Sequence, residues 1–276
     1  MRPLDEQTIL ITGATDGLGR GVAAELAAGG ATVLIHGRDE TRIAETIEGI
    51  RADTGNDELH PYRADLSSLE EVRELAGRIG DERDALHCLV NNAGIGTSEP
   101  GGGERLESAD GHELRFAVNY LAGFLLTRLL TPLLARSAPA RIVNVASAGQ
   151  ASIDFDDVML ERRYDETQAY LQSKLAQVMF TIDLAEELRD QGVTVNCLHP
   201  STFMPTKMVL AAGRAPASSL EDGIRPTVRL IADPELDLTT GTYFDREHES
   251  AAHSQAYDDE ARRRLRELSE LLTGLR

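Results

Sequence analysis

Tyr170 and Lys174 stand four residues apart in a stretch of helical periodicity, so their side chains project from one face. A phenol must shed a proton near neutral pH to act as general acid or base, and its reference pKa of about 10 is too high for that. An ammonium beside it favours the phenolate and draws the value down. Lys174 can do this, and with Lys207 it is one of only two lysines in the chain. Ser147, at the end of an apolar β-branched run, offers a hydroxyl that can donate to a substrate oxygen. Asn119 lies among apolar neighbours in a helical stretch, which makes it a buried amide, ordinarily a structural hydrogen-bonder. A lone YxxxK is common on exposed helical faces, so this constellation needs an independent signal.

That signal comes from the first turn of the chain. The segment Thr12, Gly13, Ala14, Thr15, Asp16, Gly17, Leu18, Gly19 joins the first strand run to the first helical run. Glycines at 13, 17 and 19 permit a tight turn, close approach of backbone to a pyrophosphate, and close packing of the helix on a sheet. The helix amino terminus adds unpaired N–H groups and the positive end of a dipole. At the end of the second strand run, Arg38 can pair with a ribose 2′-phosphate and stack on adenine, which points to NADP(H) over NAD(H). The acidic Asp39 beside it is read as the cap of the following helix. Asp65 and Leu66, after the third strand run, are read as adenine contacts, with a helix cap as the competing role for Asp65.

The elements that must position these groups follow from periodicity. Apolar runs at 8–12, 31–36, 86–91, 141–147, 193–198 and 241–244, with a weaker one at 59–63, read as strands. They alternate with helical spacing at 18–28, 40–52, 69–79, 111–135, 166–190 and 256–272. Strands that are almost wholly apolar suit a parallel sheet covered on both faces, giving a doubly wound α/β fold of Rossmann type over one domain, 1–276. The pattern lapses at 96–108, which holds Pro100 and four glycines, and at 199–226. The first is read evenly as a site wall or a surface insertion. The second is read as a substrate lid, because Phe203, Met204, Met208, Val209 and Leu210 are too apolar for an idle loop.

Composition narrows the partners. With 46 acidic against 28 basic residues and a formal charge of −18, the chain would repel a phosphate backbone, so nucleic acid is an unsuited partner. Cys88 and Cys197 sit in strand runs with no ligand spacing around them, so they read as buried reduced thiols and no metal site is expected. The first strand arrives within a few residues of Met1, leaving no room for a signal peptide, and the richest apolar run, 121–135, is broken by Arg128 and Pro132. A cytoplasmic protein without a membrane span is the expectation.

Taken together the motifs resemble the short-chain dehydrogenase/reductase family. In order they are TGATDGLG at 12–19, NNAG at 91–94, VNY around Asn119, NVAS ending at Ser147, YLQSK at 170–174, and HPSTFMPT at 199–206. The run IDFDDVML at 153–160 and the 23-residue step from Ser147 to Tyr170 resemble the retinol-dehydrogenase-like branch, which commonly uses NADP(H) on lipophilic alcohols and carbonyls. The resemblance implies Tyr170 as general acid/base, Lys174 as the group that lowers its pKa and holds the nicotinamide ribose, and Ser147 as the polariser of the substrate oxygen. It implies that Asn119 anchors a proton-relay water. Asn91, Asn92, Ala93 and Gly94 would line the adenine-ribose side, and Pro200 and Thr206 the nicotinamide end. One departure is Ser201, where the family usually has glycine after Pro200. The resemblance further implies a homodimer or homotetramer paired through the long helices. Two other readings share the fold: a catalytically silent dinucleotide-binding regulator, whose mark would be loss of the tyrosine or lysine, and an epimerase or dehydratase acting by transient oxidation, whose glycine spacing and longer carboxyl-terminal domain differ from this chain.

Overall fold

The computed structural model describes residues 2–98 and 100–276. Seven strands, β1 (Thr8–Ile11), β2 (Thr32–Gly37), β3 (Leu59–Arg63), β4 (Cys88–Asn91), β5 (Ala140–Val145), β6 (Val193–His199) and β7 (Tyr243–Asp245), pair in parallel in the order β3-β2-β1-β4-β5-β6-β7. A short antiparallel β8 (His248–Glu249) extends the β7 edge.

Strand alternation splits the interior into two cores. Leu10, Leu34, Leu89 and Ile142 face one side, while Ile9, Ile11, Val33, Ile35, Val90 and Val143 face the other. On the second side lie α1 (Gly17–Ala28), α2 (Glu40–Thr54) and, later in the chain, α8 (Glu221–Ala232), bringing Val22, Leu26, Ile43, Ile50, Leu230 and Ile231. On the first side lie α3 (Leu69–Glu82), α5 (Ala122–Arg136), α6 (Glu166–Glu187) and the carboxyl-terminal α9 (Asp259–Leu272). Each aliphatic or aromatic side chain so enclosed contributes about 1.5–3 kcal/mol. Both faces are covered, as the apolar strands require.

Strand order reverses between β1 and β4, because the chain builds outward through β2 and β3 and then returns. A crevice opens there, beyond the carboxyl ends of the strands.

Several boundaries differ from the periodicity. The helix expected at 111–135 begins as α4 (Leu114–Phe116), passes through a π turn (Ala117–Leu121) and continues as α5. Gly111 turns the chain at φ 79° and Glu113 caps the helix, so 111–113 belong to the turn. Within the expected lid, α7 (Lys207–Ala211) forms, and from Glu221 onward the chain is α8, packed on α1. Pro226, the last residue of that expected lid, lies inside α8, whose apolar stripe at Ile224, Val228 and Ile231 holds the helix on the sheet. The strand expected at 141–147 ends at Val145, and the last helix starts at Asp259 behind a 3₁₀ turn, Ser254–Tyr257. Of the lapse at 96–108, Glu99 lies outside the described residues, as does Met1.

Among the described residues Leu114–Arg136 is long and apolar enough to cross a bilayer by composition, yet 67% of its most apolar window is buried inside the protein. Its apolar residues Phe124, Leu125 and Leu126 belong to the core beneath the sheet. The helix α9 packs on α6, with the Arg266 guanidinium on Asp183 at 2.7 and 2.9 Å and Ser269 Oγ 2.8 Å from Tyr120 Oη.

Candidate active site

The glycine-rich turn is braced from both neighbouring strands. Asn92 Nδ2 donates to the carbonyls of Thr12 and Gly13 at 2.8 and 3.2 Å, and Thr12 Oγ1 accepts the N–H groups of Asn92 and Ala93. From β2, His36 Nδ1 accepts the Gly13 N–H at 3.1 Å while Nε2 lies 3.2 Å from the Ala64 carbonyl. Burial lowers the His36 pKa to about 4, so the imidazole is neutral, donating through Nε2 and accepting through Nδ1. The bracing by Thr12 and His36 was not read from the motif. Neither carries chemistry of its own, and only the strand pairing brings them to the turn.

The glycines are there for contact. Gly13 sits at φ 66°, and a Cβ on Gly19 would come 2.3 Å from the Gly13 carbonyl oxygen. Backbone therefore lines this end of the crevice, and the first turn of α1 presents its N–H groups there. Asp16 caps α1 through the Gly17 N–H and also accepts Arg42 at 3.0 Å and Lys207 at 2.8 Å. It is thus a cap and an ion-pair partner that also lines the cleft. Asp65 accepts the Ser67 N–H and hydroxyl, at 2.9 and 2.8 Å, while the cap of α3 is Ser68, whose Oγ accepts the Glu71 N–H. Asp39 caps α2 through Arg42 N–H at 3.1 Å.

One cleft of about 740 Å³ collects the expected residues: Gly13, Thr15 to Gly19, Arg38, Asp65, Leu66, Asn92 to Gly94, Ser147, Tyr170, Lys174, Pro200 and Thr206. Arg42 lines it as well, beside Arg38, and was not anticipated. A cradle of backbone at one end, the exposed Arg38 and half-buried Arg42 beside it and a proton-donating set at the other fit a dinucleotide, with Arg38 next to where an adenosine ribose belongs. Asn119 is buried beside the cleft and outside its lining.

At the chemical end, Asp165 caps α6 and sends Tyr170 and Lys174 inward. Lys174 is 4% exposed, and its Nζ donates to the Val145 carbonyl and to Gln177 Oε1, each at 2.9 Å. Burial brings its pKa down to about 8, which leaves the ammonium predominant at neutral pH. The Tyr170 phenol is held above its ordinary value by burial, with the Ser147 hydroxyl acting in the other direction. The Lys174 ammonium is 5.8 Å from the Tyr170 ring centre, and in this geometry burial outweighs the lowering expected from it. Ser147 lies just past β5, its Oγ accepting the Gly149 N–H at 3.0 Å.

Asn119 sits in the π turn, where the helical ladder is interrupted. Its Oδ1 accepts the Ile95 N–H at 2.8 Å, and its Nδ2 reaches the Ile95 carbonyl at 3.2 Å and Ser173 Oγ at 3.0 Å. The amide thus ties the segment after β4 to α6. Ser201 takes an ordinary backbone conformation; the left-handed non-glycine of this loop is Phe203, at φ 48°, with Arg214 stacked 5.0 Å from its ring centre.

The loop after β4 is fastened by a buried network that the sequence did not reveal. Arg115, with no exposed surface, donates to the carbonyls of Gly96, Thr97 and Pro100 and to Tyr164 Oη. Glu113, equally buried, caps α4 through the Phe116 N–H and accepts from Tyr164 at 3.3 Å. Thr97 and Pro100 line the cleft, which resolves the even reading of this segment in favour of a wall. The segment after β6 contributes Phe203, Met204, Met208 and Val209.

Residues 7–216 match the family model described as short chain dehydrogenase. The chain is 36% identical over 290 positions to retinol dehydrogenase 13 of Mus musculus, covering 98% of this chain and 84% of that protein. A solved structure of an uncharacterized protein from Mycobacterium Paratuberculosis is similar with a TM-score of 0.79 at 28% identity, covering 98% of this chain and 94% of that one. A short chain dehydrogenase from Escherichia coli CFT073 complexed with NADPH gives a TM-score of 0.71 at 28% identity, over 89% of this chain and 98% of that one.

Proposed function

Because this chain belongs to the short-chain dehydrogenase family, whose members are NAD(P)-dependent enzymes acting on alcohol and carbonyl groups, we propose that it uses NADP(H) to interconvert a carbonyl and an alcohol on a lipophilic small molecule. The observation that carries the reading is the convergence of Ser147, Tyr170 and Lys174 on the same cleft as the glycine-rich turn and Arg38. When bound, the nicotinamide supplies or accepts the hydride. The rest is done by the chain's own groups.

Ser147 Oγ donates to the substrate oxygen and holds it beside the Tyr170 hydroxyl. In reduction Tyr170 delivers a proton to that oxygen, and in oxidation the phenolate removes one. The Lys174 ammonium stabilises the phenolate and offers its remaining proton to ribose hydroxyls. Asn119 keeps the backbone around Ile95 in place, at the point where a water can relay protons from Lys174 outward. Arg38 selects the 2′-phosphate by charge and by the fork geometry of its guanidinium, with Arg42 beside it. The apolar lid side chains form the wall against which a lipophilic substrate loses its water.

We infer the cytoplasm as the working compartment, supported by two buried free thiols and by an apolar helix spent in the core. A homodimer or homotetramer would use the faces of α5 and α6 that α9 leaves open. The experiment that tests the functional reading is a panel of lipophilic aldehydes, ketones and alcohols with each cofactor, followed at the nicotinamide absorbance. Turnover with NADPH or NADP⁺ at least tenfold more efficient than with the unphosphorylated form is expected. A tenfold preference for NADH would overturn the role given to Arg38, and a folded, dinucleotide-binding protein inert on the whole panel would overturn the activity.

A further inference from the structure

Lys174 holds three N–H donors, and two of them are already committed to the Val145 carbonyl and Gln177 Oε1 at 2.9 Å each. The third is left for the cleft, on the side of Gly94, where a built Cβ would stand 3.7 Å from Nζ. Val145 is backbone and common to any residue at that place. Gln177 is a side-chain choice, three residues along α6 on the same face, 4% exposed and deep in the helix–sheet interface.

We propose that Gln177 is a positioning residue of the proton-transfer site: its neutral carbonyl fixes the direction of the Lys174 ammonium without cancelling the charge that Tyr170 requires. This rests on the roles given above to Tyr170 and Lys174. A carboxylate of the same shape would accept the same hydrogen bond and neutralise the ammonium. The chain carries 46 Asp and Glu, yet those of α6 stand at its ends, at Glu166, Asp183, Glu186 and Glu187. Among the described residues, the charged and titratable groups that face Lys174 are Tyr170 on α6 and His199 at the end of β6, the latter in the field of Asp245 and Arg246 from β7 and its turn. β5 and the π turn bring only neutral groups, the Val145 carbonyl and Asn119.

The test uses the full chain with Gln177→Glu, which keeps shape and acceptor, and Gln177→Met, which keeps volume and removes the acceptor. In Gln177→Glu the acid limb of the alcohol-oxidation profile should move up by about one pH unit, because the phenolate loses the net positive neighbour. In Gln177→Met, kcat should fall about tenfold while the cofactor Kd changes less than threefold, since the ammonium loses its aim. A readout independent of turnover is the ultraviolet titration of tyrosinate, with the Tyr170 component isolated by subtracting Tyr170→Phe in each background. That component should also move up in Gln177→Glu. Unchanged tyrosinate titration and unchanged pH profile in both folded variants overturn the proposal. Wild-type inactivity on the substrate panel overturns the function instead and leaves the tyrosinate measurement in force. If Gln177→Glu does not fold, the buried carboxylate is intolerable there, and Gln177→Met decides alone: a wild-type pH profile with wild-type kcat refutes the positioning role, a lowered kcat with a displaced acid limb supports it.

Discussion

Acidification should strip stability from this protein in part through His36. Its imidazole is fully enclosed between β1, β2 and the start of the third crossover, and burial sets its folded-state pKa at about 4 against 6.5 for the free side chain. Between those values the unfolded chain binds a proton that the native state refuses, so stability rises with pH across the interval. The contribution is complete above pH 6.5 and is lost as the pH falls toward 4. At about 1.4 kcal/mol per pH unit, the interval from 6.5 to about 4 amounts to about 3 kcal/mol, a large share of a typical domain stability. His36→Gln is the matching perturbation, since its amide can accept the Gly13 N–H and donate to the Ala64 carbonyl without titrating. Urea unfolding followed by circular dichroism, in half-unit steps from pH 7.5 to 4, should give a wild-type stability that falls about 3 kcal/mol further than that of the variant. His87 and His199, whose pKa values burial also lowers, titrate in both proteins and cancel in the difference. Because protonation would set an N–H against the Gly13 N–H, wild-type dinucleotide affinity should weaken more steeply than the variant's over the same range. Parallel stability curves for the two proteins would refute the reasoning.

Tyr170→Phe should lower kcat by about 10²- to 10⁴-fold while NADPH fluorescence titrations stay within about threefold of wild type, as expected for loss of the proton donor alone. Gly19→Ala should abolish measurable dinucleotide binding, because the added Cβ meets the Gly13 carbonyl at 2.3 Å and Asn92 Nδ2 at 2.4 Å; calorimetric titration checks this. Arg115→Met, which strands the buried Glu113 carboxylate and frees three loop carbonyls, should cost about 3–5 kcal/mol in denaturant unfolding and raise substrate KM more than cofactor Kd. Arg38→Ala should weaken NADPH by about tenfold or more and leave NADH nearly unchanged, the difference being one charge-assisted pair with the 2′-phosphate.

The alternation of apolar strands with amphipathic helices determined the sheet and its two covered faces, because a strand such as Thr8–Ile11 with no polar side can only be buried on both. The order of motifs determined the family, because a glycine turn, a serine past a strand, and a tyrosine and lysine one helical turn apart are legible in residue type and spacing. What the chain could not disclose by pattern is what those groups touch. Asp16 and Asp65 line the cleft and also hold the Gly17 and Ser67 N–H groups, and the stretch from Glu221 to Pro226, read as part of the lid, belongs to a helix held down by tertiary packing. His36, Gln177 and the Arg115–Glu113–Tyr164 network carry no local signal, since each works on partners brought near by strand pairing or by helix docking. Even the sign of the Tyr170 shift was a tertiary matter: spacing alone put an ammonium next to a phenol and so predicted a fall, whereas desolvation depends on everything packed around the ring and here prevails.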